Sequence, residues 1–169
     1  EVLSIVEVYD PTTDSWTKKT DMPTARLAMS AAVLDGKIYT FGGLTNNGKV
    51  LAVVEVYDPV TDSWARKSNM PTARWSTGAI VIDGKITIIG GDVLSPRLSG
   101  QVALVNIYDP KTDSWVDGIP MNIARRGFGT GLVNGKIYVI GGWRGDGTSQ
   151  IVESYDTGLG VRVKSVSPW

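Results

Sequence analysis

The chain contains neither cysteine nor histidine among its 169 residues. Without cysteine there can be no disulfide framework, thiolate metal site or cysteine nucleophile. Without histidine the commonest metal ligand and the usual general base near neutral pH are missing, which excludes zincins, Ser-His-Asp hydrolases and histidine-ligated copper or iron centres. Catalysis would have to rest on carboxylates, Lys, Arg, Tyr or an added cofactor, and the sequence implies no cofactor and no metal.

An excess of charge and a long apolar run are also absent. Seventeen Lys and Arg residues balance seventeen Asp and Glu residues, so we expect no nucleic-acid partner, because phosphate neutralisation needs a basic stripe. No stretch approaches the ~20 apolar residues of a membrane helix, and no segment resembles a signal peptide. We therefore expect a soluble chain without a membrane partner, and the sequence leaves its compartment unspecified.

Glycine, in contrast, is abundant and regularly placed. Of the 38 positions from Val6 to Gly43, 24 carry the same residue 48 positions later. The recurring positions are the pairs Gly42-Gly43, Gly90-Gly91 and Gly141-Gly142, the tyrosines Tyr9, Tyr57, Tyr108 and Tyr155, and the tryptophans Trp16, Trp64 and Trp115. A fixed period near 50 residues indicates a repeat architecture. We predict a single domain over 1–169 with repeats at about 6–53, 54–104 and 105–151 and a partial repeat at 152–169.

Each unit has the pattern of four short strands. Asp35-Gly36, Asp83-Gly84 and Asn134-Gly135 each separate two β-prone runs, which is the strongest short signal for a type I′ hairpin. The third strand should end at a Tyr-Asp-Pro block, and the fourth should contain the tryptophan and end near Met22, Met70 or Met121. No window has a useful helical period, so the sequence predicts an all-β fold of four-stranded antiparallel sheets.

Paired glycines after the second strand, with a tyrosine six or seven residues before a tryptophan, resemble the kelch repeat of β-propellers. The resemblance implies propeller blades, here about three and a half. The last unit departs from the pattern, since Arg162 stands where tryptophan is expected and Gly158-Leu159-Gly160 replaces the usual turn, although 161–166 alternates well enough to be a fourth strand. Such a chain is either an incomplete ring belonging to a longer chain or half of a propeller assembled as a homodimer.

The repeated glycines and aromatic residues are expected to be structural. A sharp turn beside the next blade requires positive φ, which glycine adopts without penalty, and no helix follows that could make a phosphate-binding loop. Tyrosine and tryptophan suit the wedge between blades, where the ring is buried and its OH or NH finds a backbone partner. Packing is therefore favoured over a platform that stacks substrate.

Three arginines recur as well, each 17 residues after a tyrosine: Arg26, Arg74 and Arg125. Their loops should lie on the same face as the loops after Gly-Gly, which would place three guanidinium groups around one rim. Such a ring suits a carboxylate, a phosphate or an acidic peptide, because guanidinium binds these groups bidentately. The alternative is that each arginine ties its own loop to a neighbouring Asp or carbonyl group. Both interpretations stay open.

Length variation falls in one loop per unit, at 44–53, 92–104 and 143–151, and variable loops on a repeated scaffold usually carry recognition. The candidate contacts are Asn46, Asn47, Asp92, Arg97, Trp143, Arg144 and Asp146, with Trp75 and Arg126 beside the inner rim. Trp143 and Arg144 form the most binding-like pair, since Trp and Arg are typical hot-spot residues.

The sequence contains no recognisable catalytic constellation, because Glu7, Glu55 and Glu153 belong to third strands, away from the axis. We therefore predict a non-catalytic kelch domain that recognises a protein or acidic peptide through the face with the arginines and the variable loops. The alternative is a sugar-binding or carbohydrate-active propeller resembling sialic acid epimerases, with a carboxylated sugar as ligand. The copper-dependent galactose oxidases of the same family are excluded, because they need histidine ligands and a cysteine-linked tyrosine.

Overall fold

A computed structural model describes residues 1–94, 99–145 and 147–156, and every regular element in these ranges is a β-strand. The chain opens with an antiparallel hairpin of β1 (Val6–Asp10) and β2 (Ser15–Lys19). Blade A follows as a four-stranded antiparallel sheet in which neighbouring strands are consecutive in the chain. Its strands are β3 (Ser30–Leu34), β4 (Lys37–Phe41), β5 (Val54–Asp58) and β6 (Ser63–Lys67).

Blade B repeats this plan and blade C repeats its first three strands among the described residues, with a small two-stranded hairpin inserted after the second strand of each. In blade B the strands are β7 (Gly78–Ile82), β8 (Lys85–Ile89), the small hairpin β9 (Asp92–Leu94) and β10 (Ser99–Gln101), then β11 (Val105–Asp109) and β12 (Ser114–Asp117). In blade C they are β13 (Gly129–Val133), β14 (Lys136–Ile140), the small hairpin β15 (Trp143–Arg144) and β16 (Gly147–Thr148), then β17 (Val152–Asp156). The predicted all-β blade architecture is confirmed. The expected strand at 161–166 and Arg162 lie outside the described residues.

The tight hairpins form where the Asp-Gly and Asn-Gly pairs predict them. Leu34 pairs with Lys37 across Asp35 and Gly36, whose φ angles of 50° and 71° belong to a type I′ turn. The outer strands end earlier than expected, at Lys19, Lys67 and Asp117. Beyond these residues the chain leaves the outer strand, and the amide of Met70, for example, donates to the carbonyl of Ala52 in the loop before β5 at 2.8 Å.

The hydrophobic core lies between the blades rather than inside one sheet. One buried cluster joins blades A and B, and includes Tyr39, Phe41, Ile88 and Tyr108. Phe41 contacts the rings of both Tyr108 and Trp115 edge-on, with centroids 6.1 and 6.0 Å apart. A second cluster joins blades B and C through Ile80, Ile89, Val105, Ile137 and Val139. The buried apolar side chains of these two clusters therefore lie where one blade packs against the next.

A pair of hydrogen bonds, here called the polar clamp, also fastens blades A and B to the residue that follows the outer strand before each of them. The indole NH of Trp64 donates to the carbonyl of Thr20 at 2.9 Å, while the amide of Thr20 donates to the carboxylate of Asp62 at 3.0 Å. Trp115 and Asp113 hold Ser68 in the same way, at 3.1 and 2.9 Å. Both backbone polar groups of one residue are thus satisfied by one Asp-Ser-Trp segment, which gives the repeated Thr-Asp-Ser-Trp block a structural role.

The second glycine of each pair sits where two blades approach closely. Gly43 has a φ of 105°, and its amide donates to the carbonyl of Arg74 in the next blade at 2.9 Å. A Cβ at this position would lie 2.8 Å from the carbonyl oxygen of Leu27. Both the backbone conformation and the space therefore favour glycine.

Candidate functional site

The guanidinium groups of Arg26 and Arg125 are buried within the blades and paired with glutamates. Arg26 donates to Glu55 at 2.9 Å, to the hydroxyl of Thr40 at 2.6 Å and to the carbonyl of Val53 at 3.2 Å. Arg125 donates to Glu153 at 2.6 Å and to three backbone carbonyls, those of Val139, Gly141 and Ile151. Burial lowers the pKa of both arginines, and the glutamates counter that effect.

Arg74 occupies the same position in blade B without a glutamate. Its guanidinium donates to the carbonyls of Gly90 and Leu104 at 3.0 and 3.1 Å and to the side-chain oxygen of Asn106 at 2.5 Å. The amide of Asn106 in turn donates to Asp117 at 2.7 Å. The side chain is completely buried, and this burial lowers the pKa of Arg74 to about 10.

These contacts match the second of the two interpretations that the sequence leaves open. All three arginines donate to backbone carbonyls of their own blades, because buried carbonyls need donors, and Arg26 and Arg125 also pair with glutamates. No accessible ring of guanidinium groups exists at these positions, so neither an acidic peptide nor a carboxylated sugar can reach them. A signal for this arrangement is present in the sequence, since the corresponding position of successive repeats carries Glu7, Glu55, Asn106 and Glu153.

The residue after each of these arginines faces a different environment. Leu27, Trp75 and Arg126 each form an isolated antiparallel bridge with the residue after a Gly-Gly pair, namely Leu44, Asp92 and Trp143. The amides of Ser76 and Gly127 donate to the carbonyls of Ala28 and Ser76, which sets the three bridges side by side. Side chains of directly paired antiparallel residues project to the same side. We call the six bridging residues the bridge face.

Arg126 is held in the middle of the bridge face. Its guanidinium carbon lies 4.3 Å from the centroid of the Trp75 ring, and one of its nitrogens lies 3.4 Å from a carboxylate oxygen of Asp92. Asp92 also accepts a hydrogen bond of 2.9 Å from Gln101. Neither Asp92 nor Gln101 stands out as a partner for Arg126 in the sequence, because the contact joins two blades.

Of the remaining candidates, Trp143 belongs to the bridge face, and Arg144, Asn46 and Asn47 lie beside it. Trp143 is 44% exposed, whereas Arg144 is half-buried and, as the next residue of β15, has its Cβ directed to the opposite side of the hairpin. Asn46 and Asn47 are exposed in the turn after Leu44. Arg97 and Asp146 fall outside the described residues.

The described ranges contain no group of three or more acidic side chains close enough to hold a metal ion. No helix there has the length and apolar character needed to cross a membrane.

The repeated four-stranded sheets, the buried arginines and the clamps between blades define a β-propeller built from one repeated unit. Comparison with known proteins agrees, because residues 1–159 match the family model of the KLHDC2/KLHL20/DRC7 Kelch-repeats domain. The chain belongs to the kelch-repeat family. It is a kelch-repeat scaffold domain, as in the Kelch-like proteins.

Its relatives include Kelch-like protein 7 of Rattus norvegicus, 47% identical over 166 residues, which covers 97% of this chain and 28% of that protein. Kelch-like protein 7 of Homo sapiens is 50% identical over 149 residues, or 88% of this chain and 25% of that protein. The chain thus spans about a quarter of the length of these relatives. Among solved structures, YjhT superposes with a TM-score of 0.82 at 18% identity, over 99% of this chain and 66% of that one, which shows the shared fold.

Proposed function

We propose that this domain recognises a protein partner through the bridge face and the variable loops beside it. The observation that carries the proposal is the fixed position of Arg126 between Trp75 and Asp92, next to the exposed ring of Trp143. Tryptophan and arginine dominate binding energy at protein interfaces, and a side chain that is already held loses little entropy on binding. Trp75, Arg126 and Trp143 therefore remain candidate contacts on the bridge face and Arg144 a candidate in the loop beside it, whereas Arg26, Arg74 and Arg125 stabilise the blades.

The alternative of a carboxylated-sugar site depended on the arginine ring. With those guanidinium groups enclosed, no geometry among the described residues supports it. The similarity to YjhT adds only the fold, because the sequences are 18% identical.

A peptide selection tests the proposal. Random peptides displayed on phage would be selected against the immobilised domain, and the enriched sequences synthesised with a fluorophore for anisotropy titrations. Leu27→Ser and Trp143→Ser remove exposed apolar side chains from the bridge face. Val60→Ser is the matched control, since Val60 is also exposed but lies in the β5–β6 turn at the opposite end of the strands.

We expect each bridge-face variant to weaken binding about tenfold or more, and the control to bind as the unaltered domain does. Peptides that bind all of these proteins equally would show that the bridge face is not the recognition surface. Retained circular dichroism and unfolding midpoints would confirm that the variants are folded.

We also propose that the β1–β2 hairpin is completed by further strands, from a second copy or from more of a longer chain. Asp14 and Trp16 correspond to Asp62 and Trp64, which grip Thr20, and Trp16 is 67% exposed. Sedimentation velocity distinguishes the sources. A species of twice 18.2 kDa whose formation is lost in Trp16→Ala would indicate self-assembly. A monomer would exclude a second copy as the source of the additional strands.

A further inference from the structure

The charges of the bridge face cancel within the face itself. Arg126 and Asp92 are its only two ionisable members, and they lie 3.4 Å apart across the junction between blades B and C. Asp92 is buried, and only about a quarter of the Arg126 side chain is exposed. An acidic ligand group would have to compete with Asp92 for Arg126. The bridge face therefore does not favour an acidic ligand.

The remaining four members of the bridge face are apolar. Leu27 and Leu44 form the first pair, with Leu27 46% exposed, and Trp143 lies beside Arg126 with 44% of its surface exposed. One side of the Trp75 ring is covered by the guanidinium of Arg126. Exposed leucine and tryptophan beside a neutral ion pair resemble the composition of an interface core, which is depleted in charge and rich in aromatic residues and arginine.

Arg126 still has a role toward a neutral ligand. A guanidinium carries five NH donors, and only one of its terminal nitrogens is recorded near Asp92, 3.4 Å from a carboxylate oxygen. Stacking on Trp75 fixes the plane of the group, so its remaining donors have a defined direction. A peptide carbonyl is the acceptor of an uncharged chain segment, and accepting from a cation gives a hydrogen bond stronger than one between neutral groups.

We propose that the bridge face binds an uncharged, apolar peptide segment of a protein partner. A large aliphatic or aromatic side chain of that segment packs against Trp143 and Leu27, and a main-chain carbonyl accepts a hydrogen bond from Arg126. This inference rests on the proposed function and adds the chemistry of the ligand. An apolar segment takes the place of the acidic peptide expected from the sequence. That expectation depended on Arg26, Arg74 and Arg125, whose guanidinium groups are buried and already hydrogen-bonded.

The phage selection described above provides the test, using the sequences of those peptides whose binding depends on the bridge face. We expect a consensus with leucine, isoleucine, phenylalanine or tryptophan at its centre and no required aspartate or glutamate. For the synthetic peptides, the dissociation constant should change less than about twofold between about 0.05 and 0.5 M NaCl, since only interactions between net charges are strongly screened. Replacing the central apolar residue by alanine should weaken binding about tenfold.

Arg126→Lys gives a second measurement. Lysine keeps the charge opposite Asp92 but loses the planar stack on Trp75, so we expect weaker peptide binding with an unchanged salt dependence. A consensus rich in aspartate or glutamate, with binding that weakens about tenfold in high salt, would overturn the apolar ligand while leaving recognition by this face intact. Peptides insensitive to Leu27→Ser and Trp143→Ser would instead contradict the proposed function itself.

Discussion

The guanidinium of Arg74 donates to the side-chain oxygen of Asn106, at the position where blades A and C have Glu55 and Glu153. Blade B has no glutamate at this position. Its nearest negative charge is Asp117 on the neighbouring strand β12, which accepts a hydrogen bond from the amide of Asn106. In blade A the residue opposite Glu55 is the cation Arg66, whereas opposite Asn106 it is the anion Asp117. In blade B the carboxylate that balances Arg74 is thus Asp117, and the side-chain amide of Asn106 lies between the two. We call this Arg74–Asn106–Asp117 arrangement the relay.

A variant pair tests this relay. Asn106→Ala should destabilise the domain by about 3 kcal/mol, because it leaves a buried cation without its acceptor. Chemical denaturation measures the loss, and Asn69→Ala serves as the matched control, since Asn69 is exposed and accepts a hydrogen bond from the exposed Arg66. Equal losses in the two variants would contradict the relay.

A carboxylate placed at position 106, next to Arg74, should stabilise the domain only when Asp117 is also replaced. Asn106→Glu offers Arg74 a direct partner but places a second anion beside Asp117, whereas N106E/D117R copies the Glu55 and Arg66 pair. We expect the double variant to have a higher free energy of unfolding than Asn106→Glu alone, because like charges at contact repel. A double variant no more stable than the single one would show that Asp117 does not act on this site.

The Arg26–Glu55 pair should be essential to blade A. Glu55→Ala removes the partner of a buried guanidinium and the acceptor of Thr24, and we expect a loss of about 3–5 kcal/mol. Glu7→Ala is the matched control, since Glu7 has the same place in β1 but is exposed, and its loss should stay within about 0.5 kcal/mol. Urea titrations followed by tryptophan fluorescence compare the two, and a small loss for both variants would count against the ion pair.

The tryptophan clamp should contribute through a single hydrogen bond. Trp64→Phe keeps much of the aromatic packing but removes the indole donor to Thr20, and should cost about 0.5–1.5 kcal/mol. Trp16→Phe, at the exposed equivalent position, should have a smaller effect. If Trp64→Phe and Trp16→Phe shift the thermal unfolding midpoint equally, aromatic packing and not the hydrogen bond to Thr20 would explain the role of Trp64.

Stability should fall in acid, in part through Asp62. The hydrogen bond from Tyr57 lowers the pKa of Asp62 below its ordinary 3.8. The unfolded state therefore takes up a proton before the folded state does, so this contribution is present above about pH 4 and is lost as the pH falls through the folded-state value. Unfolding free energies at about pH 7 and about pH 3 should differ less in Tyr57→Phe and in Asp62→Asn than in the unaltered domain. An undiminished difference in both variants would exclude this origin.

Most of the blade could be predicted from local signals. The type I′ hairpins follow from two-residue turns that need positive φ, and Asp35-Gly36 supplies it without help from the rest of the chain. The direction of the arginine side chains could not be obtained in this way. The loop of Arg26 does lie on the expected face, but its side chain turns inward to Glu55 and Val53, residues far along the chain. The Arg126 and Asp92 pair was equally inaccessible, because it joins two blades.

The pentapeptide Val-Glu-Val-Tyr-Asp occurs twice, as β1 and as β5. The sequence alone determined that both copies form strands, each paired with a Trp-containing strand, because alternation and turn residues act over a few positions. Tertiary structure decided what those strands bury: Val8 is 47% exposed, whereas Val56, its counterpart in blade A, is 5% exposed. The physical reason is that burial depends on neighbouring strands and blades, which β5 has on both sides and β1 has only on the side of β2 among the described residues.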